Sequence, residues 1–155
     1  MKIVLTGARG FLGWHTRLRL HALTDHEVIP VGREEWNDLP SLVAGADAVI
    51  HIAGVNRAES DDEVREGNVS LARDLADAIT KGGSPLRVVY ANSIQAGNGT
   101  PYGTGKEDTA GLLADATAAV GGSLVDVLLP NIFGEHGRPR YNSFVATFVH
   151  ATIAG

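Results

Sequence analysis

A doubly wound parallel α/β sheet is the fold class this sequence predicts. Two observations carry it: short branched-apolar runs alternate with longer helical patterns, and a glycine-rich turn follows the first run at once. KIVLT (2–6), EVIPV (27–31), DAVIHI (47–52), RVVYA (87–91) and LVDVLL (124–129) read as strands. Residues 10–23 and 39–44 have helical character between them. A longer helix over 61–79 carries Val64, Leu71, Leu75 and Ile79 at helical spacing, and an alanine-rich one over 103–120 carries Leu112, Leu113, Ala116 and Val120. Between Val31 and Asp47 there is no room for both a full strand and a helix, so REEWNDL is expected to hold a vestigial third strand or none. A final helix is expected from about Asn142.

The stretch TGARGFLG places Gly7, Gly10 and Gly13 between the first strand and an amphipathic helix. That context marks a dinucleotide-binding turn of Rossmann type. A tight strand-to-helix turn needs unusual backbone angles, and a Cβ would keep the amides from a pyrophosphate at the helix N-terminus. Gly7, Arg9, Gly10, Phe11, Leu12 and Gly13 are therefore expected at the cofactor. The second strand ends in VGRE, with Gly32 at the usual acid position and Arg33 after it. Arg33 and Arg9 could converge on a 2′-phosphate, which favours NADP(H). Glu34 and Glu35 keep NAD(H) open, since either could hold ribose hydroxyls if the strand ran one residue further.

In TPYGTGK, Tyr102 and Lys106 are four residues apart and share a helix face, with Thr100 and Pro101 as cap and first-turn residue. A phenol of ordinary pKa, about 10, is a poor acid or base at neutral pH; a nearby ammonium and an oxidised nicotinamide both favour phenolate. Ser93, at the end of the fourth strand, can hold the same substrate oxygen.

Composition narrows the classes. The chain has 155 residues, a net charge of -5 and no cysteine, which excludes disulfides and thiol chemistry. Thirteen scattered Lys and Arg against eighteen acids leave no footprint for nucleic acid or an anionic membrane. No apolar run reaches a membrane span or makes a secretory signal, so the expected address is cytoplasmic. The six histidines show no metal-binding spacing, and no metal is expected. His51 reads as a core or cofactor-adjacent imidazole, Trp14 and Trp36 as packing residues.

TGARGFLG, HIAG (51–54), Asn68 in GNVS, Ser93, PYGTGK and PNIFG (130–134) together resemble the extended short-chain dehydrogenase/reductase superfamily, the NAD-dependent epimerase/dehydratase family. HIAGVNRAE, NSIQA and RPRYNSFVATF are similar to the N-terminal reductase domain of CapF-type capsular polysaccharide enzymes. The resemblance implies an NADPH-dependent reductase of a UDP-linked 6-deoxy amino sugar, followed in that family by a cupin domain. It implies Tyr102 as acid/base, Lys106 as its pKa partner and ribose ligand, Ser93 as oxygen-orienting hydroxyl and Asn68 as support for the active-site helix. Ala53 and Gly54 would line the cofactor, with Asn131 near nicotinamide or sugar-diphosphate. It also implies a homodimer through the 61–79 and 103–120 helices, and a dinucleotide-binding domain over 1–155 that ends before the last strand and substrate lobe. Two alternatives stay open: an epimerase or dehydratase that keeps NAD(H) bound, and a non-catalytic dinucleotide sensor. Gly105 departs from the family pattern, as do Ala91 and Asn92, which stand where small hydroxyl residues are usual.

Overall fold

The computed structural model describes residues 1–141 and 143–155. Five strands, β1 (Lys2–Thr6), β2 (Glu27–Val31), β3 (Ala48–His51), β4 (Arg87–Ser93) and β5 (Ser123–Leu129), form one parallel sheet in the order β2-β1-β3-β4-β5. Five helices accompany them: α1 (Phe11–Leu23), α2 (Leu39–Ala44), α3 (Asp61–Gly82), α4 (Pro101–Ala119) and α5 (Phe144–Ala154). The order reverses at β1, whose neighbours are β2 and β3. Ligands of such sheets bind outside the strand carboxyl ends at that reversal.

One face of the sheet carries the main core. Val4, Val49, Val88 and Tyr90 from the strands pack with Leu39 and Val43 of α2, Leu75, Ala78 and Ile79 of α3, and Leu113 and Ala116 of α4. All three helices thus lie on that face, while α1 packs against β1 and β2 and adds nothing to the cluster. The apolar stripes expected for α3 and α4 are the ones turned inward, with Leu71, Leu112 and Val120 at the partly buried margin.

Among the described residues no strand forms between β2 and α2, where a vestigial one or none was expected. Trp36–Asp38 form a single 3-10 turn leading into α2, and Trp36 Nε1 donates to Asp74 Oδ2 of α3 at 2.8 Å. That bond and the insertion of Trp36 beside the core draw the segment over the helices instead of along the edge of β2. Strand β4 runs two residues further than the apolar pattern indicates, because Asn92 and Ser93 continue the ladder opposite Leu128 and Leu129. Helix α3 also runs on from Ile79 to Gly82, where Gly83 at φ 63 closes it in the left-handed conformation. The final helix is capped by Ser143, whose side chain accepts from Ala146 N; Asn142, where that helix was expected to begin, lies outside the described residues.

Candidate cofactor and catalytic site

Gly7 has φ 68, and a Cβ there would lie 2.6 Å from the backbone N of Ala53. A Cβ on Gly13 would overlap the carbonyl oxygen of Gly7. These two glycines are required by the close passage of α1, β1 and the loop after β3; Gly10, whose Cβ would stand 3.3 Å from Gly7 O, is a lesser constraint. Gly10 is the N-cap of α1 and offers no side-chain cap, and the first turn carries no acid. The amides of Phe11 and Leu12 therefore begin a helix whose N-terminal donors have no side-chain cap and are placed to receive an anion. The residues present fit a dinucleotide pyrophosphate.

Arg9 does not stand open beside that turn. Its guanidinium pairs with Glu34, at 2.9 Å, and with Glu35. Glu35 folds back over Gly32 and accepts from its backbone N at 2.8 Å. That backbone donation holds the Glu35 carboxyl below its ordinary value, with Arg9 adding to the effect. A Cβ on Gly32 would lie 3.2 Å from Glu35 Oε2 and 3.3 Å from Arg9 Cδ, so the glycine makes room for this cluster. Arg33 lies exposed just past β2. The acids beside the two arginines, legible in VGREE, are thus engaged by one of them.

Thr6, at the end of β1, links the turn to the loop after β3. Its Oγ1 accepts from Ile52 N at 3.2 Å and Ala53 N at 3.3 Å, and lies 2.8 Å from His51 Nδ1. With its acceptor capacity used by two amides, the hydroxyl proton goes to Nδ1, which makes His51 a neutral imidazole protonated on Nε2. Burial, helped by the nearby Lys106 charge, pushes the His51 pKa down to about 3. The imidazole stacks on the Tyr90 ring at 5.7 Å.

Asn68 is buried on α3 and ties down the next part of the loop: Oδ1 accepts from Val55 N at 3.2 Å, while Nδ2 donates to Val55 O and Val64 O, both at 2.7 Å. Ala53 and Gly54 are thereby set beside the glycine turn and α4. A Cβ on Gly54 would come within 2.9 Å of Asn68 Oδ1 and 3.9 Å of Lys106 Nζ.

Helix α4 starts as TPYG indicates. Thr100 accepts from Gly103 N at 3.1 Å and Pro101 occupies the first turn; such a cap contributes about 1 kcal/mol. The two glycines inside the motif have separate reasons. A Cβ on Gly103 would overlap Asn98 Oδ1 and Gln95 O, and one on Gly105 would stand 3.1 Å from Arg65 Cα, so Gly105 lets α3 and α4 approach closely.

Ser93, Tyr102 and Lys106 converge at the carboxyl ends of β4 and α4's first turns. Burial raises the Tyr102 phenol above its ordinary value, and the Ser93 hydroxyl beside it pulls it back. Ser93 Oγ also accepts from Gln95 N at 3.2 Å. Lys106 is 6% exposed; its Nζ donates to Ala91 O at 3.1 Å and stands 4.9 Å from the Tyr90 ring centroid and 5.9 Å from that of Tyr102. Burial lowers the Lys106 pKa to about 8, against an opposing pull from Asp126. In this arrangement the ammonium is held against β4, and the phenol stays raised rather than lowered. Asn131 lies exposed just past β5.

Thr6, Tyr90 and Asp126 were not singled out by sequence. Thr6 was visible only as the last residue before Gly7, Tyr90 as one aromatic in a strand, and Asp126 as the one charge inside the apolar run LVDVLL. Among the described residues no three His, Asp or Glu gather as a metal site, and no helix is long and apolar enough to cross a membrane.

Known proteins resemble this chain. The chain is 38% identical over 154 residues to a UDP-2-acetamido-2,6-beta-L-arabino-hexul-4-ose reductase of Pseudomonas aeruginosa, covering 99% of this chain and 41% of that protein. The crystal structure of the capsular polysaccharide assembling protein CapF from Staphylococcus aureus superposes with a TM-score of 0.84 at 36% identity, over 99% of this chain and 42% of that one. A dTDP-4-dehydrorhamnose reductase from Bacillus anthracis, solved with NADP, shares the fold at a TM-score of 0.77 and 18% identity, over 99% of this chain and 60% of that one. The chain thus spans about two fifths of the length of the first two. The model of the NAD dependent epimerase/dehydratase family matches residues 3–155, and with the glycine turn and the Ser93, Tyr102 and Lys106 cluster in place, the chain belongs to that family.

Proposed function

We propose that this chain is the cofactor-binding part of an NADPH-dependent reductase acting on a UDP-linked 6-deoxy amino sugar, in the cytoplasmic synthesis of capsular or surface polysaccharide precursors. The observation that carries the reading is the meeting of Ser93, Tyr102 and Lys106 beside the dinucleotide turn. The similarity to the Pseudomonas aeruginosa sugar reductase supports the substrate class. When bound, NADPH supplies a hydride to a sugar carbonyl carbon. The chain's own part is to hold that carbonyl oxygen with Ser93 and protonate it from Tyr102. Lys106, pointed at Ala91 O and Tyr90, would hold the nicotinamide ribose when the cofactor is bound and adds positive charge beside the phenol.

NADPH preference rests on Arg33 and Arg9. Arg9's pairs with Glu34 and Glu35 are exposed and can be exchanged for a phosphate, whose higher charge and three oxygens suit two guanidinium groups. Titration should show NADPH binding more tightly than NADH, with the difference collapsing in Arg33→Ala; equal affinities in the wild type would sink the preference. A second reading, an epimerase that keeps NAD(H) bound, draws on the placement of Glu35 over Gly32, where ribose hydroxyls bind in NAD proteins. Cofactor consumed per product formed separates the two.

We also propose a homodimer through α3 and α4. The alanines of α3 turn inward, but α4 leaves Gly111, Ala114 and Ala118 exposed along one stripe, a surface that a second helix can approach closely. Light scattering at micromolar concentration should give twice the chain mass. A monomer mass there would overturn the assembly.

A further inference from the structure

Asn92, next to Ser93 at the end of β4, has a task in the structure that the reaction scheme leaves out. It is buried at 4% exposure. Its Oδ1 accepts from Ser93 N at 2.8 Å and its Nδ2 donates to Asp126 Oδ2 at 3.0 Å. Asp126 lies on β5 in register with Tyr90, the residue whose ring Lys106 Nζ faces at 4.9 Å. Both side chains project from the sheet face that carries α4, as alternation along parallel strands requires.

We propose that Asp126, held by Asn92, is a positioning residue for the catalytic cluster: its carboxylate is the counter-charge of the Lys106 ammonium and is tied through Asn92 to the backbone of Ser93. The assignment rests on the reading of Ser93, Tyr102 and Lys106 as the proton-transfer set. The physical need is specific. Lys106 is enclosed by His51 from β3, Tyr90 from β4, Tyr102 from its own helix and the Asn68 and Gly54 region, and none of these carries a negative charge at neutral pH. Arg65 and Asp108 on the outer side of α3 and α4 are paired with each other. Among the described residues Asp126 is the acid whose charge opposes the burial that drives Lys106 toward the neutral amine. Asn92 supplies what a serine or threonine there would not: an amide long enough to span from the Ser93 N–H to the neighbouring strand, with a donor for the carboxylate and an acceptor for the amide.

Placing a carboxylate in the middle of an apolar strand has a use under this assignment. Asp126 is itself exposed on β5, and a carboxylate free to rotate there would be screened by water. One fixed by a buried amide keeps its charge directed at Lys106 without closing a direct ion pair, which would pull the ammonium away from Ala91 O and from the space above Tyr102. Among the described residues Lys106 forms no ion pair within 4.0 Å.

The test reads Lys106 directly and needs neither cofactor nor substrate. Lysine side-chain NMR of the 155-residue chain, with the Lys106 signal assigned from its loss in Lys106→Arg, gives its titration midpoint. Asp126→Asn keeps the shape and removes the charge, and should move that midpoint down by about half a pH unit or more. Asp126→Glu should retain most of the wild-type value, and Asn92→Ala should move it in the same direction as Asp126→Asn by a smaller step. Circular dichroism checks folding, and Asp126→Thr, which suits a strand, replaces any variant that fails it. A Lys106 midpoint unchanged in folded Asp126→Asn or Asp126→Thr would overturn the assignment. NADPH titration of the wild-type chain is run separately: absence of binding there would count against the reductase reading, while the Lys106 midpoints would still decide the role of Asp126.

Discussion

In a polypeptide of its relatives' length, Tyr102→Phe should lower turnover of the nucleotide sugar by about 10²- to 10⁴-fold, the range that a positioned proton donor contributes, while cofactor affinity stays near wild type. The phenylalanine ring refills the space between Ser93 and Lys106, because the phenol is half-buried and only its oxygen is removed. Binding at the glycine turn does not involve that oxygen, so a loss confined to kcat marks an interaction made in the transition state. Lys106→Ala differs. It empties a buried site beside Gly54 and Tyr90 and removes the ammonium there, so both cofactor affinity and turnover should fall. Turnover of Tyr102→Phe near the wild-type rate would show that the phenol is a packing group.

Most of this architecture was legible because it is written in local patterns. Strand and helix periodicities, the Thr100 cap and the glycine turn each depend on residues close in sequence, and Gly7 and Gly13 do what such a turn demands. What was not legible depends on contacts between distant segments. The engagement of Arg9 by Glu34 and Glu35 crosses from one loop to another, so the VGRE string could not show which acid the arginine would meet. Gly105, a departure from the family pattern in sequence, is the contact point of α3 on α4. The last two residues of β4 lacked apolar character, and their strand conformation comes from pairing with β5. The orientation of Lys106 toward Ala91 O is likewise a tertiary fact: spacing put it on the face of Tyr102, and burial against Tyr90 decided where the ammonium went.

Acid should weaken the fold through His51 before any carboxylate is involved. The imidazole has a folded pKa of about 3 against an ordinary value of 6.5, because it is buried and close to Lys106. The unfolded chain therefore binds a proton that the folded chain refuses, and stability falls as pH drops from 6.5 toward 3. Lys106 has the same sense in a different window: its folded value of about 8 against 10.5 makes stability rise between those pH values and leaves the range below 8 flat. Between pH 7.5 and 5 the His51 contribution thus stands clear, and linkage predicts a loss of about 2 kcal/mol from this one residue. Urea midpoints across that interval should slope accordingly in the wild type. In His51→Asn, whose amide oxygen can still accept from Thr6, stability at pH 7.5 should be lower but the slope shallower by about the same 2 kcal/mol. An equal slope in both proteins would mean that His51 takes up its proton without leaving the core, and that the Thr6 to His51 bond does not hold the imidazole neutral.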